Sequence, residues 1–215
     1  MGDIIKVFIK FGSETNMPDL IDNGTIYMNS IQKFRQMEDN SLRGDSYEGI
    51  SKLWNLPSGS FEIPTINYKG NYEHLHLAER YETVFGNLYS LYSISSNWVE
   101  DPEEFQIDTK VIEFGSHAVM IKDLSEFFRR MKSKLKYTGH RFYHGFVEYY
   151  DKSAYNGEAH VFQKPSEFAY QREFRFFLQR NEISPISLSI GSIRDIAEIF
   201  PSEAFLTLRL EKRKS

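Results

Sequence analysis

The chain has 215 residues, enough to bury a proper core without covalent staples. It contains no cysteine, which excludes a disulfide framework, a thiolate zinc site and a cysteine nucleophile. Its 26 basic and 30 acidic residues leave a net charge of −4, which argues against a general nucleic-acid coat but leaves room for a local basic groove.

The opening Met-Gly-Asp-Ile-Ile-Lys lacks the charged-then-apolar pattern of a signal peptide. No apolar run approaches the roughly 20 residues needed to span a bilayer, so a cytoplasmic protein with no membrane partner is expected. Residues 4–11 are rich in β-branched and aromatic side chains and predict a first strand. Ser13 is placed to cap a short helix running through Ile21, which Asn23 and Gly24 would end. Residues 25–29 predict a second strand, and Ser30 then caps a helix whose apolar positions Ile31, Phe34 and Met37 keep helical spacing. The polar segment 38–49 gathers Arg43, Asp45 and Glu48 among turn formers; it reads either as a solvated loop or as one wall of a cleft.

From 50 to 76 the pattern is a meander of short strands broken by Pro57, Gly59, Pro64 and Gly70. Residues 87–95 form a strong strand with Leu91, Ser93 and Ser95 on one face. An irregular excursion over 99–114 precedes a strand at 116–121. Asp123 or Ser125 then opens a helix with the apolar stripe Leu124, Phe127, Phe128, Met131 and Leu135. Its other side carries Arg129, Arg130, Lys132, Lys134 and Lys136, a solvated or phosphate-contacting face. Strands are expected at 143–150, with 157–162 as partner, and finally at 186–190 and 204–210. Strands outnumber helices and most connections are too short for parallel crossovers. The expected fold is a single α+β domain over 1–215, a mainly antiparallel or mixed sheet with two or three packed helices.

The stretch around which the chain is organised is Phe168-Ala-Tyr-Gln-Arg-Glu-Phe-Arg-Phe-Phe-Leu178. As a strand of period two it sets Gln171, Glu173 and Arg175 on one face and Arg172, Phe174, Phe176 and Leu178 on the other. The polar face reads as a site on a rigid element, or as charges neutralising each other. No Gly-rich phosphate loop, His-Glu-x-x-His or Gly-x-Ser-x-Gly occurs. His74 and His76 would share a strand face, but no carboxylate partner is evident and no metal is expected.

The segments Phe8-Ile-Lys-Phe-Gly-Ser, Leu20-Ile-x-x-Gly-Thr-Ile-Tyr-Met-Asn-Ser and Gly44-Asp-x-x-Glu-Gly49 resemble a widespread uncharacterised bacterial and phage-associated family. Phe114-Gly-Ser-His-Ala-Val-Met-Ile, Val147-Glu-Tyr-Tyr-Asp and Phe168-x-x-Gln-x-Glu-Phe-Arg175 continue the likeness over most of the chain. The opening strand, helix, Asn-Gly turn and strand are also similar to the start of ADP-ribosyltransferase folds, in the arginine–serine–glutamate branch that includes bacterial toxins. That resemblance implies NAD as substrate, a toxin or phage-defence effector, a protein or nucleic-acid acceptor and a possible antitoxin. By position it assigns Lys10 to the NAD-holding basic residue, Ser93 and Ser95 to the serine strand, and Gln171 and Glu173 to the catalytic pair. Lysine at position 10 lacks the planar two-pronged contact of arginine, which Arg35 or Arg43 would have to supply. Tyr27, Phe34 or Tyr92 would stack on nicotinamide. Two other readings stay open: a non-enzymatic binding or sensor module in which Arg43, Asp45, Glu48, Glu173 and Arg175 form an ion-pair network, and a metal-dependent nuclease using Asp45, Glu48 and Glu173.

Overall fold

The structure is a computed structural model, and it describes residues 5–37, 48–80, 86–96, 98–99 and 101–210. Arg43 and Asp45 lie outside the described residues. The chain begins with β1 (Ile5–Gly12), α1 (Asn16–Asn23), β2 (Thr25–Ser30) and α2 (Ile31–Gln36). The meander follows as β3 (Ile50–Leu56), β4 (Gly59–Ile63), β5 (Tyr68–Tyr72) and β6 (Leu75–Arg80). Next come β7 (Asn87–Ser95), β8 (His117–Ile121), α3 (Leu124–Tyr137), β9 (Phe142–Phe146) and β10 (Glu148–Tyr150). The chain then forms β11 (Gly157–Glu158), β12 (Gln163–Pro165), β13 (Glu173–Leu178), β14 (Ile186–Ser189) and β15 (Ala197–Pro201). This is the α+β architecture with mainly antiparallel sheet that the pattern of elements predicts.

Local signals set the element ends. The Ser13 hydroxyl accepts from the Asn16 N–H ahead of α1, and Gly24 closes that helix at a φ of 59°. A Cβ at Gly24 would meet the Gly191 carbonyl oxygen at 1.9 Å, so the turn admits only glycine. Ser30 caps α2 through the Lys33 N–H, and Asp123 caps α3 through the Glu126 N–H.

The central sheet runs β14-β2-β7-β1-β8-β15, with β13 on the opposite edge of β7 and β9 beyond it. Its pairings are antiparallel. One face buries Phe8, Tyr89, Leu91, Phe174 and Phe176 beneath α1 and α3, through Met17, Leu20, Phe127, Met131 and Leu135. The other face packs Ile9, Phe11, Tyr92 and Ile94 against Phe105, Ile107, Val111 and Phe205. Outside this sheet β3 pairs with β6 and β11, β4 pairs with β5, and β10 runs parallel to β12.

Outside the 168–178 stretch, three expected elements differ. The predicted strand at 143–150 is broken at Val147, whose N–H bonds to the Glu173 carbonyl, while the next N–H, from Glu148, turns to Phe162. Its first half pairs with β13, and residues 157–158 pair with β3 instead of serving as its partner. The last strand is Ala197–Pro201, and 202–207 is a 3-10 helix that inserts Phe205 into the second core cluster. Pro201 has no N–H to continue a ladder.

Candidate functional site

The site arises from a parting of strands. On the edge of β7 away from β13, β1 pairs with residues 92–95 and β2 with residues 87–88. Among the described residues, 89–91 have no strand partner on that edge, and Lys10 reaches across so that its Nζ donates to the Ser90 carbonyl at 2.7 Å. The same ammonium sits 4.6 Å from the centroid of the Tyr89 ring. A cavity of about 660 Å3 opens into this gap, lined by consecutive residues of β1 (Ile9 to Gly12) and of β7 (Leu88 to Tyr92). That volume lies within the ~300–1,000 Å3 usual for small-molecule and cofactor sites.

Glu173, Gln171 and Arg175 lie on the cavity wall together with Glu48 and Lys164. Glu173 and Arg175 point there because they pair with Tyr92 and Ser90, which share that face of the sheet. Gln171 arrives by another route than the strand periodicity implies. It ends a 3-10 helix (Ser166–Gln171), and Arg172, at a φ of 41°, turns the chain before β13 begins.

These groups form one buried chain of charge. The Glu173 carboxylate accepts from Lys164 Nζ at 2.8 Å and from Arg175 Nε at 2.8 Å. Arg175 makes a two-pronged contact with Glu48, 2.9 Å at each nitrogen, and its Nη1 also donates to the Val161 carbonyl at 2.5 Å. Lys164 donates to Gln171 Oε1 at 2.6 Å, and Gln171 Nε2 reaches the Tyr170 hydroxyl at 3.2 Å. The Glu173 N–H is bonded to the Tyr149 hydroxyl oxygen at 2.9 Å. Glu48 is itself positioned by Arg35, whose guanidinium binds the carbonyls of Glu48 and Gly49 at 2.6 and 2.5 Å. Arg35 therefore braces the wall from behind.

Burial pushes the Glu173 carboxyl upward, but the charges of Arg175 and Lys164 outweigh it and hold the group well below its ordinary value. Burial lowers Arg175, and the two carboxylates more than reverse this, so the guanidinium is held charged. Two anions face two cations, so the network is neutral as a whole while Glu173 stays ionised. On the neighbouring wall, burial pushes the Tyr92 phenol up to about 12 against the opposing charge of Arg172. Tyr89 and Tyr92 both line the cavity; among the described residues the buried Tyr89 hydroxyl has no hydrogen-bond partner, while the Tyr92 hydroxyl faces the Arg172 side chain.

Of the other residues singled out from the sequence, Lys10, Tyr27 and Phe34 line the cavity, with Tyr27 55% exposed at its mouth. Ser93 and Ser95 do not belong there. Ser93 pairs with Phe8 and so points to the helix-covered face, away from Tyr92 and Glu173. Its hydroxyl donates to the Arg172 carbonyl at 2.8 Å and accepts from Trp98 Nε1 at 3.0 Å. Ser95 is two residues on, on the same face, and is 1% exposed. The serine of this strand that lines the cavity is Ser90. Lys164 is the member the sequence reading missed: it sits on a three-residue strand, and no motif or periodicity marks it. His74 and His76 both contact Asn55 Oδ1, at 3.1 and 2.8 Å, and among the described residues there is no group of three potential metal ligands. No described helix is long and apolar enough to cross a membrane.

Comparison with known protein families, with curated proteins and with solved structures finds no match to this chain.

Proposed function

We propose that the protein is an NAD-cleaving ADP-ribosyltransferase that uses Glu173 as its catalytic carboxylate. The observation that carries the reading is a carboxylate kept ionised on the wall of a nucleotide-sized cavity, with Gln171 beside it and aromatic rings on the other walls. In the reaction the ribose–nicotinamide bond breaks, nicotinamide leaves with the bonding pair, and the ribose becomes oxocarbenium-like. A fixed negative charge beside that carbon is worth more in the transition state than in the ground state. Lys164 and Arg175 hold Glu173 in place without protonating it. The acceptor then bonds to the ribose carbon and loses its proton to solvent, with Gln171 orienting the incoming group. Tyr27 and Phe34 supply rings for nicotinamide to stack against. Ser93 and Ser95 have no part in this scheme. A toxin or phage-defence setting, with a macromolecular acceptor and an antitoxin, belongs to the same proposal.

One observation favours a second reading, a binding or sensor module without catalysis. Both Glu173 oxygens are already engaged by cations, as a purely structural network would have them. The two readings separate in one experiment. Purified protein is incubated with NAD labelled in the adenosine half, and released nicotinamide and labelled macromolecules are quantified. Transfer that Glu173→Gln abolishes, with NAD binding retained, supports the transferase. Tight NAD binding with no nicotinamide release supports the sensor.

A further inference from the structure

A second surface stands apart from the cavity. Residues 127–147 contain six lysines and arginines and not one carboxylate, in a chain whose net charge is −4. This segment is the length of α3 beyond its first turn, the bend at Thr138 and Gly139, and β9. On α3, Arg129, Lys132 and Lys136 are exposed and spaced three and four residues apart, which puts them on one side of the helix. Past the bend, His140 and Arg141 are exposed as well. Among the described residues, the two carboxylates that reach this helix, Glu126 and Asp195, are engaged by Arg129 and Arg130. Lys132, Lys134, Lys136 and Arg141 make no ion pair among the described residues.

Helix and strand are continuous on this surface. His144 on β9 packs 5.4 Å from the Phe128 ring, and burial together with the nearby Lys132 charge lowers its affinity for a proton. Lysines in the last turn of a helix favour its dipole, which accounts for Lys134 and Lys136 but not for Lys132 or Arg141. Exposed aromatic surface accompanies the charge. Tyr137 is 91% exposed at the end of α3, and Tyr143, 47% exposed on the opposite pleat of β9, leans on Phe177 with rings 6.2 Å apart.

We infer that this surface docks single-stranded nucleic acid, with Lys132, Lys136 and Arg141 on phosphates and Tyr137 as a stacking platform for an unpaired base. An anionic membrane is the other polyanion to weigh. An interfacial helix needs its apolar side free for insertion, and here Phe127, Met131 and Leu135 are buried in the core. The surface does not depend on catalysis. Its lysines lie on α3, which covers the sheet face where Phe174 and Phe176 point, with Arg141 just ahead of β9, whereas Glu173 and Arg175 point to the cavity side.

The test is a fluorescence-anisotropy titration of the full chain against a labelled 20-nucleotide single strand of mixed sequence, repeated over a range of salt concentrations. Three phosphate contacts predict a slope of about −2 for log K against log salt, since each contact on a single strand contributes about −0.7. Combining Lys132→Glu, Lys136→Glu and Arg141→Glu should flatten that slope and weaken binding at least tenfold (about tenfold per 1.4 kcal/mol). Tyr137→Ala should weaken it about tenfold with the slope unchanged. A control combining Lys69→Glu, Lys122→Glu and Lys152→Glu, all surface residues outside this segment, should change little more than net charge does. The inference is overturned if the control weakens binding as much as the patch variant. It is also overturned if a duplex of equal length binds as tightly, or if phosphatidylserine vesicles bind the chain while the oligonucleotide does not.

Discussion

Arg175→Met tests the buried network most sharply. Arg175 is 2% exposed and its guanidinium makes four hydrogen bonds, one to Glu173, two to Glu48 and one to the Val161 carbonyl. Methionine keeps much of the side-chain length and apolar volume, so the change removes chiefly charge and donors. Glu48 and Glu173 are then left buried with Lys164 as the remaining cation of the network. Removing one partner of a buried ion pair costs about 3–5 kcal/mol, because the survivor stays desolvated and unpaired. For a chain of this size each kcal/mol is worth roughly 2–4 °C in Tm, so the midpoint should fall by about 6–20 °C. Thermal unfolding followed by circular dichroism at neutral pH, with chemical denaturation alongside, reads this directly. At pH 4 the gap between the variant and the parent should narrow, since Glu173 without the Arg175 charge takes up a proton more readily. A loss below about 1 kcal/mol at neutral pH would refute the reasoning, for it would mean that the network is solvated.

The parent protein should lose stability in acid. The Glu173 carboxyl is held below its ordinary value of 4.5, so its contribution is complete above that pH and declines as the pH falls through it; Glu173→Gln should remove this part of the slope. Lys10→Met should leave the Ser90 carbonyl without its donor and destabilise the protein by about 1–3 kcal/mol, measured by denaturant unfolding. Asp123→Ala, which deletes the cap of α3, should cost about 1 kcal/mol in the same assay. Tyr27→Ala at the cavity mouth should change stability by no more than about 0.5 kcal/mol but weaken NAD binding in calorimetry.

Much of the framework is legible in the chain because its signals are local. Ser30, Asp123 and Gly24 mark helix ends through their own hydrogen bonds or backbone angles where the pattern places them, while Ser13 bonds the Asn16 N–H just ahead of α1, whose N-cap is Thr15. The apolar stripe of α3 and the alternation in β7 and β13 likewise follow from residue spacing. What could not be read depends on pairing between distant segments. Whether Ser93 or Ser90 faces the cavity is a question of which β7 residue stands opposite Glu173, and period two alone leaves that open. Gln171 reaches the site only because Arg172 takes a left-handed conformation, which the amino-acid types do not announce. Lys164 enters through a short parallel pairing with β10, with a contact to Glu173 that no spacing rule reveals. The gap between β1 and β2, which creates the cavity, is a property of the sheet and belongs to neither strand alone.

The central claim is that Glu173 cleaves NAD, and nicotinamide release measured for the parent and for Glu173→Gln tests it most directly. Calorimetric NAD binding and thermal unfolding of both proteins must accompany the rates, since Glu173 also belongs to the buried network. The account predicts release by the parent, loss of at least a hundredfold in the variant, and binding within a few-fold of the parent in variant protein that is still folded. No release from the parent, or a folded variant that still releases nicotinamide within a few-fold of the parent rate, would contradict it and leave Glu173 as a structural member of the ion-pair chain.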